Sequence, residues 1–417
     1  MIPYERERSL AQADEAIESF IAGTGWKMEL HGVGELIVTT KCTLRDREGG
    51  FVSSGCGKGE SDISLVGAKY EAVEHYYSSA ATITAEVGLV ASEDILNDGR
   101  YACLPFLSVF EQNRGKRLAC RTYRSFGGDG QIDVPLFMTC TDYTVCARPA
   151  GDTFAYSSAN RFSSNSGTAI GASFEEAAVH AAGEIIERDS WSLFMIAHFL
   201  GDPGSLGTVI DPDSLPAEVW RIHQAARKRL GRDIVLIDVT TDLGFPTFIA
   251  TVVEIAAGEP VHPHGCGASL HAGYAAIRAL TELVQYVDVK LMTEKMAHVD
   301  IIALEMLSGY RKLRDCAYFK VDPARLRKAR WQHAGTQLVK PKPLLEGIVA
   351  KMRSKGINLY FCINHQQAES FCVVSCVSCE LERFFLVTAG VVMAPGTRGM
   401  RLLPDKQPEV SRQGLPA

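Results

Sequence analysis

The sequence predicts an α+β fold, mixed β-sheets with packed helices, and three observations carry that reading. Segments of helical periodicity alternate with strand-like ones but never settle into the regular βαβ rhythm of a doubly wound sheet. The chain has 417 residues, 46% of them hydrophobic and 22% charged, which is enough for a large mixed core. No low-complexity tract or Ser- or Pro-rich linker divides it before the polar, proline-containing end.

The elements follow in order. "AQADEAIESFIA" (11–22) has the apolar spacing of an amphipathic helix, and "ELIVTTKCTLRDREGGFVSS" reads as two strands joined by a polar turn. Residues 62–80 look helical, and 104–148 strand-like and irregular. A long helix is expected from Phe174 to about Phe199. "DIVLIDVTTD" and "PTFIATVVEIA" meet at Gly244 and Phe245 and read as paired strands. A second long helix spans about Ala272 to Lys295, followed by the helical "PLLEGIVAKMRSKG" and the strands "NLYFCIN" and "FCVVSCVS". The expected organisation is an N-terminal helical segment with a lead-in strand (1–38), one large domain (39–403) and a tail (404–417).

A formal charge of −6 makes nucleic acid an unexpected partner. No apolar run reaches the ~20 residues needed to cross a bilayer, and the charged start lacks a secretion signal's apolar core, so a cytoplasmic protein is expected. The twelve cysteines are scattered as reduced thiols would be, apart from Cys372, Cys376 and Cys379. That cluster has no second CxxC or spaced His pair to complete a four-ligand zinc site, and it reads instead as buried strand.

The chemistry lies in a pattern that recurs three times, a glycine-rich loop followed by a helix carrying a carboxylate with an oxygen-bearing partner at i+3. "SSGCGKGES" precedes Glu71 and Glu74, "SSNSGTAIGAS" precedes Glu184 and Glu187, and "HPHGCGASLHAG" precedes Glu282 and Gln285. A spacing of three puts both groups on one helical face, where like charges repel. Because these helices are otherwise apolar, the carboxylates are expected to be buried, and buried carboxylates need cations. All-oxygen ligands suit Mg²⁺ or Ca²⁺ rather than zinc, and Mg²⁺ commonly bridges carboxylates to phosphates. Lys58, Arg188 and Arg278 are cations placed to meet such phosphates.

"SGCGKGES" is not a P-loop, because Gly59 rather than Ser or Thr follows Lys58. A helix beginning near Asp62 also puts Glu71 about 14 Å along its axis, too far for one loop and its own helix to grip a single phosphate. The stretch before one helix would have to serve another helix's carboxylates. A di-iron carboxylate bundle is disfavoured, because the Glu-x-x-His spacing is missing and strands are abundant.

Taken together, "GCGKGES...EAVEHYY", "SSNSGTAIGASFEEAAVHAAGEIIERDSW" and "HGCGASLHAGYAAIRALTELVQ" resemble the YcaO superfamily from about Thr39 onward. The resemblance implies a YcaO-like fold and an ATP- and Mg²⁺-dependent enzyme that activates a peptide backbone amide. Its usual product is a thiazoline or oxazoline ring made from Cys, Ser or Thr of a ribosomally made precursor. The resemblance further implies that Glu71, Glu74, Glu184, Glu187 and Glu282 hold magnesium. Lys58, Ser163, Ser164, Asn165, Glu176, Arg188, Arg278 and Gln285 would line ATP, with Glu187, Arg188 and Arg278 at the chemistry. On this reading Arg188 serves phosphate rather than neutralising Glu184 and Glu187.

The chain departs from the family where Gly67, His75 and Ala172 replace the frequent Ser, Arg and Asn, and where Pro404, Pro408 and Pro416 form no regular Pro-x-Pro tail. Thioamidation, macrolactamidine formation or a non-catalytic ATP-binding scaffold are the alternatives. The size and "YEAVEHYY" resemble stand-alone heterocyclase subunits of azole-containing microcin synthetases. That likeness implies a precursor peptide, a separate E1-like or leader-peptide-recognition protein and a flavin-dependent azoline dehydrogenase as partners, and leaves room for a homodimer within a larger complex.

Overall fold

The computed structural model describes residues 3–404 except 84–86, 336–338 and 369, so the tail after Pro404 lies outside the described residues. Helices and sheets are mixed throughout, as an α+β chain requires. The fourteen described strands are β1 (Lys27–Gly34), β2 (Val38–Arg45), β3 (Phe51–Gly59), β4 (Gly88–Ala91), β5 (Arg117–Ser125), β6 (Gln131–Pro135), β7 (Thr168–Gly171), β8 (Thr208–Ile210), β9 (Ile234–Asp238), β10 (Thr247–Val252), β11 (His264–Ala268), β12 (Arg327–Ala329), β13 (Tyr360–Gln367) and β14 (Phe371–Val377). The main helices are α1 (Leu10–Thr24), α2 (Ser61–Tyr77), α3 (Phe174–Met195), α4 (Ala217–Leu230), α5 (Ala272–Met292), α6 (Glu294–Met306), α7 (Arg311–Tyr318) and α8 (Pro341–Ser354).

Three sheets form. A three-stranded antiparallel sheet runs β1-β2-β3, a five-stranded sheet β11-β10-β9-β8-β12, and a six-stranded sheet β4-β5-β13-β14-β7 with β6 paired to β5. The expected pairing at Gly244 and Phe245 is the antiparallel β9–β10 contact, with Ile249 opposite Ile237. Gly244 itself turns the chain at φ +59°, a left-handed conformation that suits glycine.

Helix ends follow from capping. Ser9 and Gln12 form a capping box at the start of α1, and the Ser173 hydroxyl accepts from the Glu176 N–H at the start of α3. α3 continues past Met195 into one wider turn, Ile196–Leu200, which accounts for the helical pattern reaching Phe199. It is buried along most of its length because β7 and β14 of the six-stranded sheet cover one side while α8 and β11 approach from others.

Cys372 and Cys376 sit on fully buried β14, in an apolar cluster with Ala178, Ile186 and Leu345, and Cys379 packs into a different cluster. Burial pushes all three thiols up, which disfavours the thiolate a metal would need.

Candidate active site

Each of the three sheets ends in an edge strand that is followed by one of the motif helices. β3 leads to α2, β7 to α3 and β11 to α5. Each glycine-rich stretch expected as a loop therefore contains strand, most of the first and the middle of the other two. In β3 and β11 the glycines alternate because one face of the strand lies directly on helix backbone, while β7 meets α3 through Gly171 alone. A Cβ on Gly57 would collide with the Ser64 carbonyl oxygen, and one on Gly265 with the Leu283 nitrogen and the Ala279 oxygen. A G-x-G alternation with period two was the sequence signal for this close approach.

The stations are joined helix to strand, α2 with β7, α3 with β11 and α5 with β3, and a buried sheet edge needs partners for its N–H groups. The motif carboxylates supply them. The Ile170 N–H donates to Glu74 Oε2 (2.9 Å), Gly167 N–H to Glu184 Oε2 (3.1 Å), Cys266 N–H to Glu282 Oε1 (3.3 Å) and Ala268 N–H to Glu187 Oε2 (3.1 Å). Two of these bonds join different stations, α2 to β7 and α3 to β11. The second oxygen of three of these carboxylates meets a cation. Arg188 lies 3.3 Å from Glu184 Oε1 and 3.2 Å from Glu187 Oε1, and the Lys58 ammonium contacts Glu282 Oε2. Arg278 approaches Glu187 Oε2 at 3.7 Å.

Lys58 on β3 thus serves a carboxylate on α5, the crossed arrangement that helix length requires. The Gln285 amide donates to the Cys56 carbonyl of β3 (2.6 Å) and ties the same two stations together. Arg188 differs from expectation, since it does compensate both Glu184 and Glu187. It is also stacked over Trp191 and Phe385, 5.3 and 5.8 Å from the ring centres, which fixes the guanidinium plane.

The electrostatics remain short of positive charge. Burial, followed by repulsion from Glu71 and Glu184, holds the Glu74 carboxyl well above the usual carboxylate range. Burial also raises Glu71, against His75 and Lys58, and raises Glu187, against Arg188 and Arg278. Glu282 goes the other way, because Lys58 and Arg188 outweigh burial and bring it to about 2. Five carboxylates share the permanent cations of Lys58, Arg188 and Arg278, so oxygen donors are in excess. No group of three or more potential metal ligands is drawn together among the described residues. The donor set nonetheless fits a hard divalent cation in its chemistry, since its groups are oxygen-only and burial disfavours the charge of Glu71, Glu74 and Glu187.

Other expected site residues lie around this centre. The Ser163 hydroxyl is turned onto the Cys140 carbonyl, and the Ser164 hydroxyl accepts from the Ser166 N–H. Asn165 is exposed, and it is Ser166 that reaches Arg188, at 3.4 Å. Glu176 is buried with both oxygens engaged, by Arg6 Nη1 (3.1 Å) and the Glu7 N–H (2.8 Å). Sequence reasoning missed this N-terminal segment, whose Glu5 carboxylate is bonded by the Ser269 hydroxyl. Arg6 lies 170 residues from Glu176 in the chain, a separation no local pattern reveals.

Comparison with known proteins gives a family and a fold. The sequence pattern of one family, described as YcaO cyclodehydratase, ATP- and Mg²⁺-binding, matches residues 56–382. A heterocyclase solved in complex with substrate and cofactor is similar in fold, with TM-score 0.65 and 18% identity over 90% of this chain, which spans 52% of that one. The YcaO protein of Methanopyrus kandleri, solved with AMPPCP and Mg²⁺, has TM-score 0.63 and 16% identity, covering 98% of this chain and 99% of its own. The E. coli microcin synthetase McbBCD complex contains a chain with TM-score 0.57 and 15% identity, covering 86% of this chain and 88% of its own. Two curated relatives are 33% and 34% identical over 129 and 125 residues, and the chain spans about 30% of their length.

Proposed function

Because the chain belongs to the YcaO family, we propose that it is an ATP-dependent cyclodehydratase that forms azoline rings from Cys, Ser or Thr of a ribosomally made precursor peptide. One observation carries the reading. Four carboxylates from three stations each commit one oxygen to a backbone N–H, and three of them also meet Lys58, Arg188 or Arg278.

In the proposed reaction the substrate's thiol or hydroxyl adds to the preceding carbonyl, and the resulting oxyanion takes the γ-phosphoryl group of ATP. Departure of phosphate with the former carbonyl oxygen, and of the amide proton, leaves the ring. Magnesium bound by Glu71, Glu74, Glu184, Glu187 and Glu282 would supply charge neutralisation on the phosphates. The chain's own work is positioning and electrostatics. Arg188, clamped by two carboxylates and stacked on Trp191, is set to meet developing phosphate charge without reorganising. Arg278 and Lys58 add positive charge on either side, and each would exchange its present carboxylate partner for phosphate. Ser164, Asn165, Glu176 and Gln285 are assigned to the nucleotide, with Arg6 closing over Glu176.

The partners proposed are a separate leader-recognition protein and, where azoles are the end product, a flavin-dependent dehydrogenase. A non-catalytic scaffold is a poorer reading because the carboxylate set is complete. The test incubates the protein, its genomic neighbours and the precursor with ATP and Mg²⁺ and reads peptide mass. Loss of one water per ring, dependent on ATP, is expected. A mass gain matching exchange of oxygen for sulfur would replace cyclodehydration with thioamidation at the same site.

A further inference from the structure

The first described strand is an open sheet edge whose blunting rests on the exposed charges of Lys27 and Glu29. β1 pairs with β2 along all eight residues without a bulge, and it is the outer strand of its sheet. It contains no proline, six of its eight residues are exposed, and Leu30 is 42% exposed. An edge this long and this regular is a template for another strand, and proteins normally blunt such edges.

The sequence of β1 selects the occupant. Two antiparallel strands related by a two-fold axis pair residues whose numbers sum to an even value, because only then do both partners present their N–H and C=O groups outward. Centring on Glu29 sets Glu29 against Glu29 and Lys27 against His31. Centring on His31 sets His31 against His31. Centring on Met28 sets Lys27 against Glu29 but pairs only three residues of β1, whereas centring on Leu30 pairs seven, from Lys27 to Val33, without setting like charges together. Glu29 faces His31 twice, Leu30 faces itself, and Met28 faces Gly32, which leaves room for the longer side chain. Glu29 is also held by Arg45 Nε at 2.8 Å, which orients its carboxylate on the sheet face it shares with His31.

We propose that β1 pairs antiparallel with β1 of a second copy of this chain, centred on Leu30, so that two three-stranded sheets become one of six strands. The pairing is independent of which reaction the site runs, but it reaches the site. β3 of the same sheet carries Lys58 and the Cys56 carbonyl that holds Gln285, so the dimer braces one of the three stations.

The test is sedimentation velocity of the full chain across a micromolar concentration series, with circular dichroism as the control for folding. The wild type should sediment as a dimer. His31→Glu leaves the Arg45–Glu29 pair intact and sets Glu against Glu twice, so it should weaken the dimer about tenfold, from two like-charge contacts of the size seen across strands. The double swap Glu29→Lys/His31→Glu should restore it. Leu30→Cys should give a disulfide-linked dimer on mild oxidation, where the wild type with its own thiols does not. A monomeric wild type, a folded His31→Glu variant with undiminished dimerisation, or a double swap no tighter than the single variant would each overturn the pairing.

Discussion

Replacing Glu187 by Gln separates the structural use of this group from its chemical one. Glu187 is 1% exposed, and its Oε2 accepts from the Ala268 N–H at 3.1 Å, a bond the Gln amide oxygen can keep. The change therefore preserves the link between α3 and β11 while removing one negative charge from between Arg188 and Arg278. A unit charge at about 4 Å in a protein-like dielectric is worth on the order of 4 kcal/mol. In the folded chain burial opposes that attraction, since it outweighs both arginines and raises the carboxyl. Fold stability should accordingly change by only about 1 kcal/mol, as for a single net hydrogen bond. Turnover should fall much further, about 10²- to 10³-fold, as when one preorganised electrostatic group is lost from a polar transition state. The assay is phosphate release with precursor peptide at saturating Mg²⁺, with thermal melts alongside. Wild-type turnover at equal ATP occupancy would refute the role given to this carboxylate. A collapsed melting curve would show instead that its charge is needed by the fold.

Glu74→Gln gives the pH test. An acid whose folded-state pKa is raised contributes stability that is complete below the ordinary carboxylate pKa and lost as pH rises through the raised value. The Gln variant should melt above wild type at pH 8 and converge with it near pH 4, and parallel curves would contradict the raised pKa. Gly57→Ala should cost about 2–3 kcal/mol in urea unfolding, because its Cβ meets the backbone of α2, whereas Gly183→Ala has open space in a helix and should gain about 0.5–1 kcal/mol. The reverse order would remove the close-packing account of the glycines. Arg398→Ala strips Asp189, which is 0% exposed and pushed up to about 6, of its bidentate partner at 2.9 and 3.1 Å. Unfolding free energy should drop by about 3–5 kcal/mol, and a loss below 1 kcal/mol would mean that Asp189 finds another partner.

Most helices and the paired strands were legible because their apolar periods are strong, and α3 was read almost to its end. The carboxylate set was legible for a related reason, since a spacing of three on an apolar helix is costly unless something compensates it. The second half of β3 and all of β11 were misread as loops because they are rich in glycine and poor in the branched and aromatic residues that mark strands, and β7 because it is only four residues long. The glycine alternation of β3 and β11 pointed to backbone lying against backbone, a packing fact that becomes visible only beside the helix. Ser166 and Arg6 were missed because neither position carries a periodicity or motif of its own.

The sequence by itself determined that three matched stations exist, which side chains they carry and that their buried charge demands cations, because these follow from local spacing and composition. Only the tertiary structure decided that the stations are the edges of three different sheets. Convergence is a long-range outcome. Each edge needs partners for its N–H groups, and each is given a carboxylate by its own helix or a neighbouring one. That exchange sets Lys58 of β3 against Glu282 of α5, and Ala268 of β11 against Glu187 of α3.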